Sequence, residues 1–195
     1  MIFETVSFLR VGGIVIFPTE TVYALACDAS NYRAMSRIYD IKQRNIKKNL
    51  PVMVAGITHL ENFTLFNKSQ ANLIKKCCPG PVTFIVRRKK SVHFRFRFPE
   101  KVAVRIPDSK VALKILRMFK RPVFATSVNL SGRPAVSNFT QIGNYVKKRV
   151  SHIICDNRGV KGIVSSIIDI SGERPVLVRK GAFSMRFVGN SEFIE

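Results

Sequence analysis

The alternation of apolar and polar positions divides the chain into short strands and amphipathic helices that follow one another closely. Ile2, Val6 and Leu9 recur at helical spacing until Gly12-Gly13 interrupts them, and a buried strand, Ile14 to Phe17, follows and ends at Pro18. Ser30 is placed to cap a helix running to about Arg44, with Ala34, Ile38 and Ile41 along its inner face. A strand at Leu50 to Ala55 and two helical patterns, around Thr58 to Phe66 and Ser69 to Cys78, lead to the Pro79-Gly80-Pro81 turn. Strands are predicted at Val82 to Val86 and Val102 to Ile106, the second stopped by Pro107. Asp108 or Ser109 then caps the clearest helix, with Val111, Ala112, Ile115, Leu116 and Phe119 on one face and Lys110, Lys114 and Arg117 on the other. After a strand ending at Pro122 to Ala125, a helix from Thr140 to Val150 would bury Ile142, Val146 and Val150. Strands at His152 to Cys155, Ser165 to Ile170 and Val176 to Arg179 follow, the last two joined by a turn at Gly172-Glu173.

Strands and helices alternate, but the late strands cluster. This predicts an α/β fold, a single domain over 1–195 with a twisted mixed β-sheet and flanking helices. At 195 residues and 46% hydrophobic, the chain can fill one substantial core and is short for two. No apolar run approaches the roughly 18 residues that span a bilayer, and no basic segment followed by an apolar one opens the chain. A soluble, cytoplasmic protein without a membrane partner is expected. Cys27, Cys77, Cys78 and Cys155 show neither Cys-x-x-Cys nor His-associated spacing, which suits reduced, mostly buried thiols and no metal site.

Charge changes the picture of partners. Thirty-three Lys and Arg against twelve Asp and Glu leave a net charge of +21, a surface that attracts nucleic acid, nucleotides or anionic membrane. A proteome-wide bias toward basic residues would give the same total. Between Arg87 and Arg97 basic residues alternate with Phe94, Phe96 and Phe98, with His93 among them. Such a run could stack bases, but it fits better a two-faced edge strand or hairpin with Phe inward and Arg outward.

Candidate chemistry concentrates at strand ends. Pro122 to Ala125 runs into Thr126, Ser127, Asn129 and Ser131, closed by Gly132 and Pro134, so a buried strand opens into small donors able to approach anionic oxygens. A plain turn is the competing reading. Thr19-Glu20-Thr21-Val22-Tyr23 brings hydroxyls, a carboxylate and a phenol to the end of another strand, where open α/β sheets hold ligands, although ordinary strand-turn-strand propensity would also produce it. Lys42, Arg44, Lys47 and Lys48 end the helix near Arg44 as either a solvated terminus or a phosphate clamp.

In order along the chain, Gly12 to Asp28, Lys42-Gln43-Arg44, Pro79 to Phe84, Val102 to Asp108, Thr126 to Pro134 and Ser165 to Arg179 together resemble the YrdC-type threonylcarbamoyl-adenylate synthases. With no further C-terminal domain, the chain looks like the short, bacterial form. The resemblance implies a YrdC-like fold and a nucleotidyltransferase that joins L-threonine, bicarbonate and ATP into threonylcarbamoyl-AMP and pyrophosphate, for threonylcarbamoyladenosine in tRNA. It implies that Thr21, Arg105, Ser127 and Ser165 hold threonine or its carbamate. Arg44, Lys48, Asn129, Ser137 and Arg179 would hold ATP, with Lys42, Arg44 and Lys48 stabilising charge and Mg²⁺ assisting. Threonylcarbamoyl transferase machinery would act downstream, and tRNA is a possible partner.

The carbamate formed from threonine supplies its own nucleophile, so no Ser-His-Asp or Cys-His constellation is needed. Ala24, Asn45, Val128, Met53 and Val164-Ser165-Ser166 depart from the family's usual residues. Two other readings stand: a non-catalytic protein binding tRNA or double-stranded RNA on the same fold, and a carbamoyl-transfer module like that of hydrogenase-maturation proteins.

Overall fold

The computed structural model describes residues 1–91, 100–188 and 191–194, with side chains described through 184. Helix α1 (Ile2–Arg10) leads to strands β1 (Val15–Pro18) and β2 (Tyr23–Asp28), helix α2 (Tyr32–Lys42), strand β3 (Val52–Met53) and helix α3 (Ile57–Glu61). Strand β4 (Thr64–Leu65), helix α4 (Lys68–Cys77), strands β5 (Val82–Arg88) and β6 (Lys101–Arg105), helix α5 (Lys110–Phe119) and strand β7 (Val123–Ser127) come next. A 3₁₀ turn (Phe139–Gln141) precedes helix α6 (Asn144–Lys147) and strands β8 (His152–Ile153), β9 (Ser166–Asp169) and β10 (Val176–Arg179); β11 (Met185–Val188) and β12 (Ser191–Ile194) form a separate two-stranded sheet among the described residues.

The sheet runs β10-β9-β5-β6-β3-β7-β2-β1-β8, with β4 attached to β5. It is mixed as the pattern predicts: β1 with β8, β3 with β6 and β5 with β9 are parallel, and the remaining pairs antiparallel. Strand periodicity sorts the core into two layers. Ile14, Ile16, Tyr23, Leu25 and Cys27 join Val82, Phe84, Val86, Val102 and Val104 in one layer, against residues of α2 and α4 such as Ile38 and Ile74. Val15, Phe17, Ala24, Ala26, Met53 and Ala125 face the other way, against Val6 and Leu9 of α1 and Ala112, Ile115, Leu116 and Phe119 of α5.

Several boundaries differ from the sequence reading. Asn31, not Ser30, caps α2 by accepting from the Ala34 N–H, while the Ser30 hydroxyl donates to Asp28 Oδ1. Gln43, in the left-handed region at φ 48°, ends that helix before Arg44. Asn67 caps α4 through a reciprocal pair with Gln70, and Ser109 is the cap of α5. The helix foreseen from Thr140 to Val150 is broken after Gln141, where Ile142 turns extended and Gly143 starts the short α6. Leu50 to Ala55 shrinks to the two residues of β3, and the Thr58 to Phe66 pattern splits into α3 and β4. Of the cysteines, all free, Cys155 is exposed. The stretch holding His93, Phe94, Phe96 and Phe98 lies outside the described residues.

Candidate active site in the open half of the sheet

Alternation along the strands also makes the site. On β5, Val82, Phe84 and Val86 enter the core, so Thr83 and Ile85 point to the opposite face; on β6, Val102 and Val104 do the same and leave Ala103 and Arg105 with them. Together with Ala24, Met53 and Ala125 they line a cleft of about 250 Å³, bordered by Ser127, Val164, Ser165, Ile167, Val178 and Arg179. Alanines at 24, 103 and 125 keep the floor low.

The lining is apolar below and cationic around. Arg44, Arg105 and Arg179 all contribute, with hydroxyls from Thr19, Thr83, Thr126, Ser127 and Ser165, and no carboxylate lines the cleft among the described residues. Burial, and then the positive charge of Arg105, lower the pKa of Arg179. Two guanidiniums that repel one another across a hollow favour an anion between them.

Each cation is held from behind. Arg179 donates through Nε (3.1 Å) and Nη2 (2.7 Å) to the Ser165 carbonyl, while the Ser165 hydroxyl lies 2.9 Å from that of Thr83. Arg105, 8% exposed, donates through Nη2 to Glu20 Oε1 and to Thr21 Oγ1, both at 2.8 Å. Arg44 donates to the carbonyls of Lys48 and Asn49, folding the 45–49 loop around its own end.

Lys42 does not line the cleft. Its ammonium is buried and donates to the Ser127 carbonyl (2.5 Å), the Asn129 carbonyl (3.0 Å) and Asn129 Oδ1 (2.7 Å). Burial first, then the charge of Arg44, push its pKa down to about 8. Asn129 Oδ1 also accepts from the Ser127 hydroxyl at 2.7 Å, so the end of α2 fixes the turn after β7.

Of the residues singled out in the sequence, Arg44, Arg105, Ser127, Ser165 and Arg179 meet at the cleft. Thr21 lies behind Arg105, and Asn129 behind Ser127. Lys48 is exposed, its carbonyl accepting from Tyr39 and Arg44. Ser137 packs near Gly162 and donates its N–H to Gln141. Thr83 was missed because a threonine inside an apolar strand reads as core; the period-2 offset from Val82 and Phe84 is the signal that marks it. Tyr23 borders the cleft, but its side chain belongs to the opposite core layer, where the phenol donates to Asn157 Oδ1 and accepts from the Asp156 N–H.

Fold and cleft define an α/β protein with a cationic, hydroxyl-lined hollow on a mixed sheet. The chain belongs to the Sua5/YciO/YrdC family, whose model, described as "Telomere recombination", matches residues 7–181. It is 31% identical over 181 residues to the threonylcarbamoyl-AMP synthase of Pyrococcus abyssi and 33% identical over 184 residues to that of Bacillus subtilis, covering 92% and 93% of this chain and 53% of each relative. The chain thus spans about half the length of these relatives. The crystal structure of P. abyssi Sua5 complexed with L-threonine superposes with a TM-score of 0.86 at 32% identity, over 93% of this chain and 54% of that one. Escherichia coli YciO, an uncharacterized protein by name, is 30% identical over 93% of this chain and 89% of its own, and its crystal structure gives a TM-score of 0.83.

Proposed function

We propose that the cleft binds L-threonine and ATP and makes threonylcarbamoyl-AMP. The observation that carries this reading is the ring of Arg44, Arg105 and Arg179 around a hydroxyl-rich, carboxylate-free hollow. Such a site suits an amino-acid carboxylate at one end and polyphosphate at the other. The two synthases among the relatives, and the threonine complex of P. abyssi Sua5, support the same assignment.

Threonine's amine and bicarbonate give a carbamate and water; a carbamate oxygen then attacks the α-phosphorus of ATP and pyrophosphate leaves. No protein nucleophile takes part, and the chain's contribution is positioning and charge. Arg105 and the Ser165 and Ser127 hydroxyls would hold threonine or its carbamate, with Thr21 behind Arg105. Arg44, Lys48 and Arg179 would take phosphate oxygens, and Ser137 and Asn129 the rest of the nucleotide. Lys42 keeps the Ser127–Asn129 turn in place.

The residues of the cleft do not form a Mg²⁺ site of their own. No carboxylate lines it, and among the described residues no cluster of three or more His, Cys, Asp or Glu could hold a metal. A divalent ion would enter with the nucleotide's phosphates as part of the substrate, and no step here is routed through it.

A cytoplasmic role in tRNA modification, with a separate threonylcarbamoyl transferase consuming the product, follows from the proposed activity. No helix of the described residues is long and apolar enough to cross a membrane. A second reading, RNA binding without chemistry, draws on the +21 charge. The name of E. coli YciO assigns no activity, so family membership alone leaves the choice to experiment. Incubation with labelled bicarbonate, L-threonine and ATP, followed by mass spectrometry of the adenylates formed, tests it. A labelled threonylcarbamoyl-AMP is expected, and its absence from folded, ATP-binding protein would overturn the assignment.

A further inference from the structure

One small buried network at the end of β1 reaches the cleft through Arg105. Thr19 Oγ1 lies 2.7 Å from the Val22 carbonyl, which can only accept, so the Thr19 hydrogen goes there. The Thr19 and Thr21 hydroxyls lie 2.8 Å apart. The N–H groups of Thr21 and Val22 also point at Thr19 Oγ1, at 3.2 and 3.3 Å, as they would at an acceptor. Thr21 Oγ1 accepts from Arg105 Nη2, whose second hydrogen goes to Glu20 Oε1.

Thr21 therefore holds one hydrogen of Arg105 Nη2 and Glu20 the other, with Thr19 and the Val22 carbonyl behind Thr21. Glu20 and Arg105 are each 8% exposed, while Thr19 and Arg105 line the cleft and Glu20 and Thr21 do not. Glu20 Oε2 and Arg105 Nε are both buried without a hydrogen-bond partner. Nη2 is saturated, which leaves Nε and Nη1 as the donors Arg105 can give a ligand.

We propose that Glu20 and Thr21 are positioning residues that act through Arg105, saturating one guanidinium nitrogen so that its remaining donors meet the carboxylate of the amino-acid substrate. Glu20 has a second effect: its negative charge offsets the repulsion of Arg105 by Arg179, so Arg105 can stay in a cationic cleft before any ligand arrives. The proposal rests on the assignment of an amino-acid carboxylate to Arg105 made above.

Two measurements on the full chain test it, one without substrate. The first is ¹⁵N relaxation of the Arg105 side-chain Nε, assigned by loss of its signal in Arg105→Lys. Arg105 is expected to be restrained in the wild type and in Thr21→Ser, which keeps the hydroxyl, and loosened in Thr21→Val and Glu20→Gln. Equal order in all four would overturn the proposal. The second is calorimetric titration with L-threonine and, separately, with ATP. Thr21→Val and Glu20→Gln should each weaken threonine roughly tenfold, the size of one lost hydrogen bond to a charged group, and leave ATP affinity unchanged. Thr21→Ser should restore most of the threonine affinity. Equal losses for threonine and ATP would mean a general structural role and would overturn the inference. If the wild type does not bind threonine at all, the assigned substrate is wrong, and the relaxation data alone decide whether Glu20 and Thr21 position Arg105.

Discussion

Lys42 Nζ sits 2.7 Å from Asn129 Oδ1, and its two other contacts are the carbonyls of Ser127 and Asn129. A residue from the last turn of one helix thereby sets the conformation of a turn 85 positions later. The ammonium faces these oxygens, whereas Arg44, two residues on, lines the cleft.

Lys42→Met keeps the apolar stem and removes the donors. Leaving the Ser127 and Asn129 oxygens without their partner should cost about 1–3 kcal/mol, read as a lower urea midpoint. The pH dependence has a definite sign. The folded pKa, about 8, lies below the unfolded value, so the unfolded chain binds the proton more tightly between pH 8 and roughly 10.5. This group's contribution to stability therefore rises with pH across that window. The wild-type stability curve should climb relative to that of Lys42→Met above pH 8, and parallel curves would show that Lys42 does not titrate there.

Arg44 separates two roles by measurement. Its guanidinium both lines the cleft and ties the 45–49 loop through the Lys48 and Asn49 carbonyls. Arg44→Ala should lower turnover by roughly two orders of magnitude, the size of one lost charged transition-state contact. Melting should change little, since Arg44 is only half-buried. Arg44→Lys should recover part of the rate, because an ammonium cannot grip two phosphate oxygens. Near-normal turnover in Arg44→Ala would leave Arg44 as a loop anchor only.

Gly181 is required by close approach. A β-carbon there would run into the Val164 carbonyl and the backbone of Ser165, and its N–H donates to the buried Ser166 hydroxyl, which also ties Phe183. Gly181→Ala should destabilise by about 1–3 kcal/mol through overpacking, as seen in thermal melts. Because Ser165 lies at the displaced contact and holds Arg179, threonine and ATP affinities should both fall. Unchanged affinities would show that the 164–166 segment can shift without disturbing the cleft.

The legible part of this fold was what period and punctuation encode. Val82-Phe84-Val86 and Val102-Val104 gave buried strands, and the stripe through Ala112, Ile115, Leu116 and Phe119 gave α5. Prolines 18 and 107 and the Pro79-Gly80-Pro81 turn marked the breaks. Competing side-chain bonds were not legible. Ser30 looked like a cap, but its hydroxyl turns back to donate to Asp28, and Asn31 caps the helix. Ser127 was readable in a strand-end cluster, whereas Arg105 and Ser165 could be named only through the family resemblance. Nothing local in Lys42-Gln43-Arg44 distinguishes the buried lysine from the cleft-lining arginine. That division depends on where β7 ends, a contact between distant positions.

Binding of tRNA separates the charge from the chemistry. If the +21 charge acts only as a general basic surface, tRNA affinity should be weak near physiological salt and fall steeply as salt rises, since phosphate contacts release counterions. Filter binding at several salt concentrations measures this. Tight, salt-insensitive and sequence-selective binding would favour the RNA-binding reading over the enzyme.

The most direct measurement is pyrophosphate release from ATP by the full chain, with L-threonine and bicarbonate supplied together, singly, or not at all. A cleft that joins carbamate formation to adenylyl transfer should release pyrophosphate only when both are present. Serine should be a poorer substrate, since the missing methyl in an apolar contact is worth roughly 1–3 kcal/mol. Pyrophosphate release without threonine, or none from folded protein that binds ATP, would contradict the assignment of this cleft to threonylcarbamoyl-AMP synthesis.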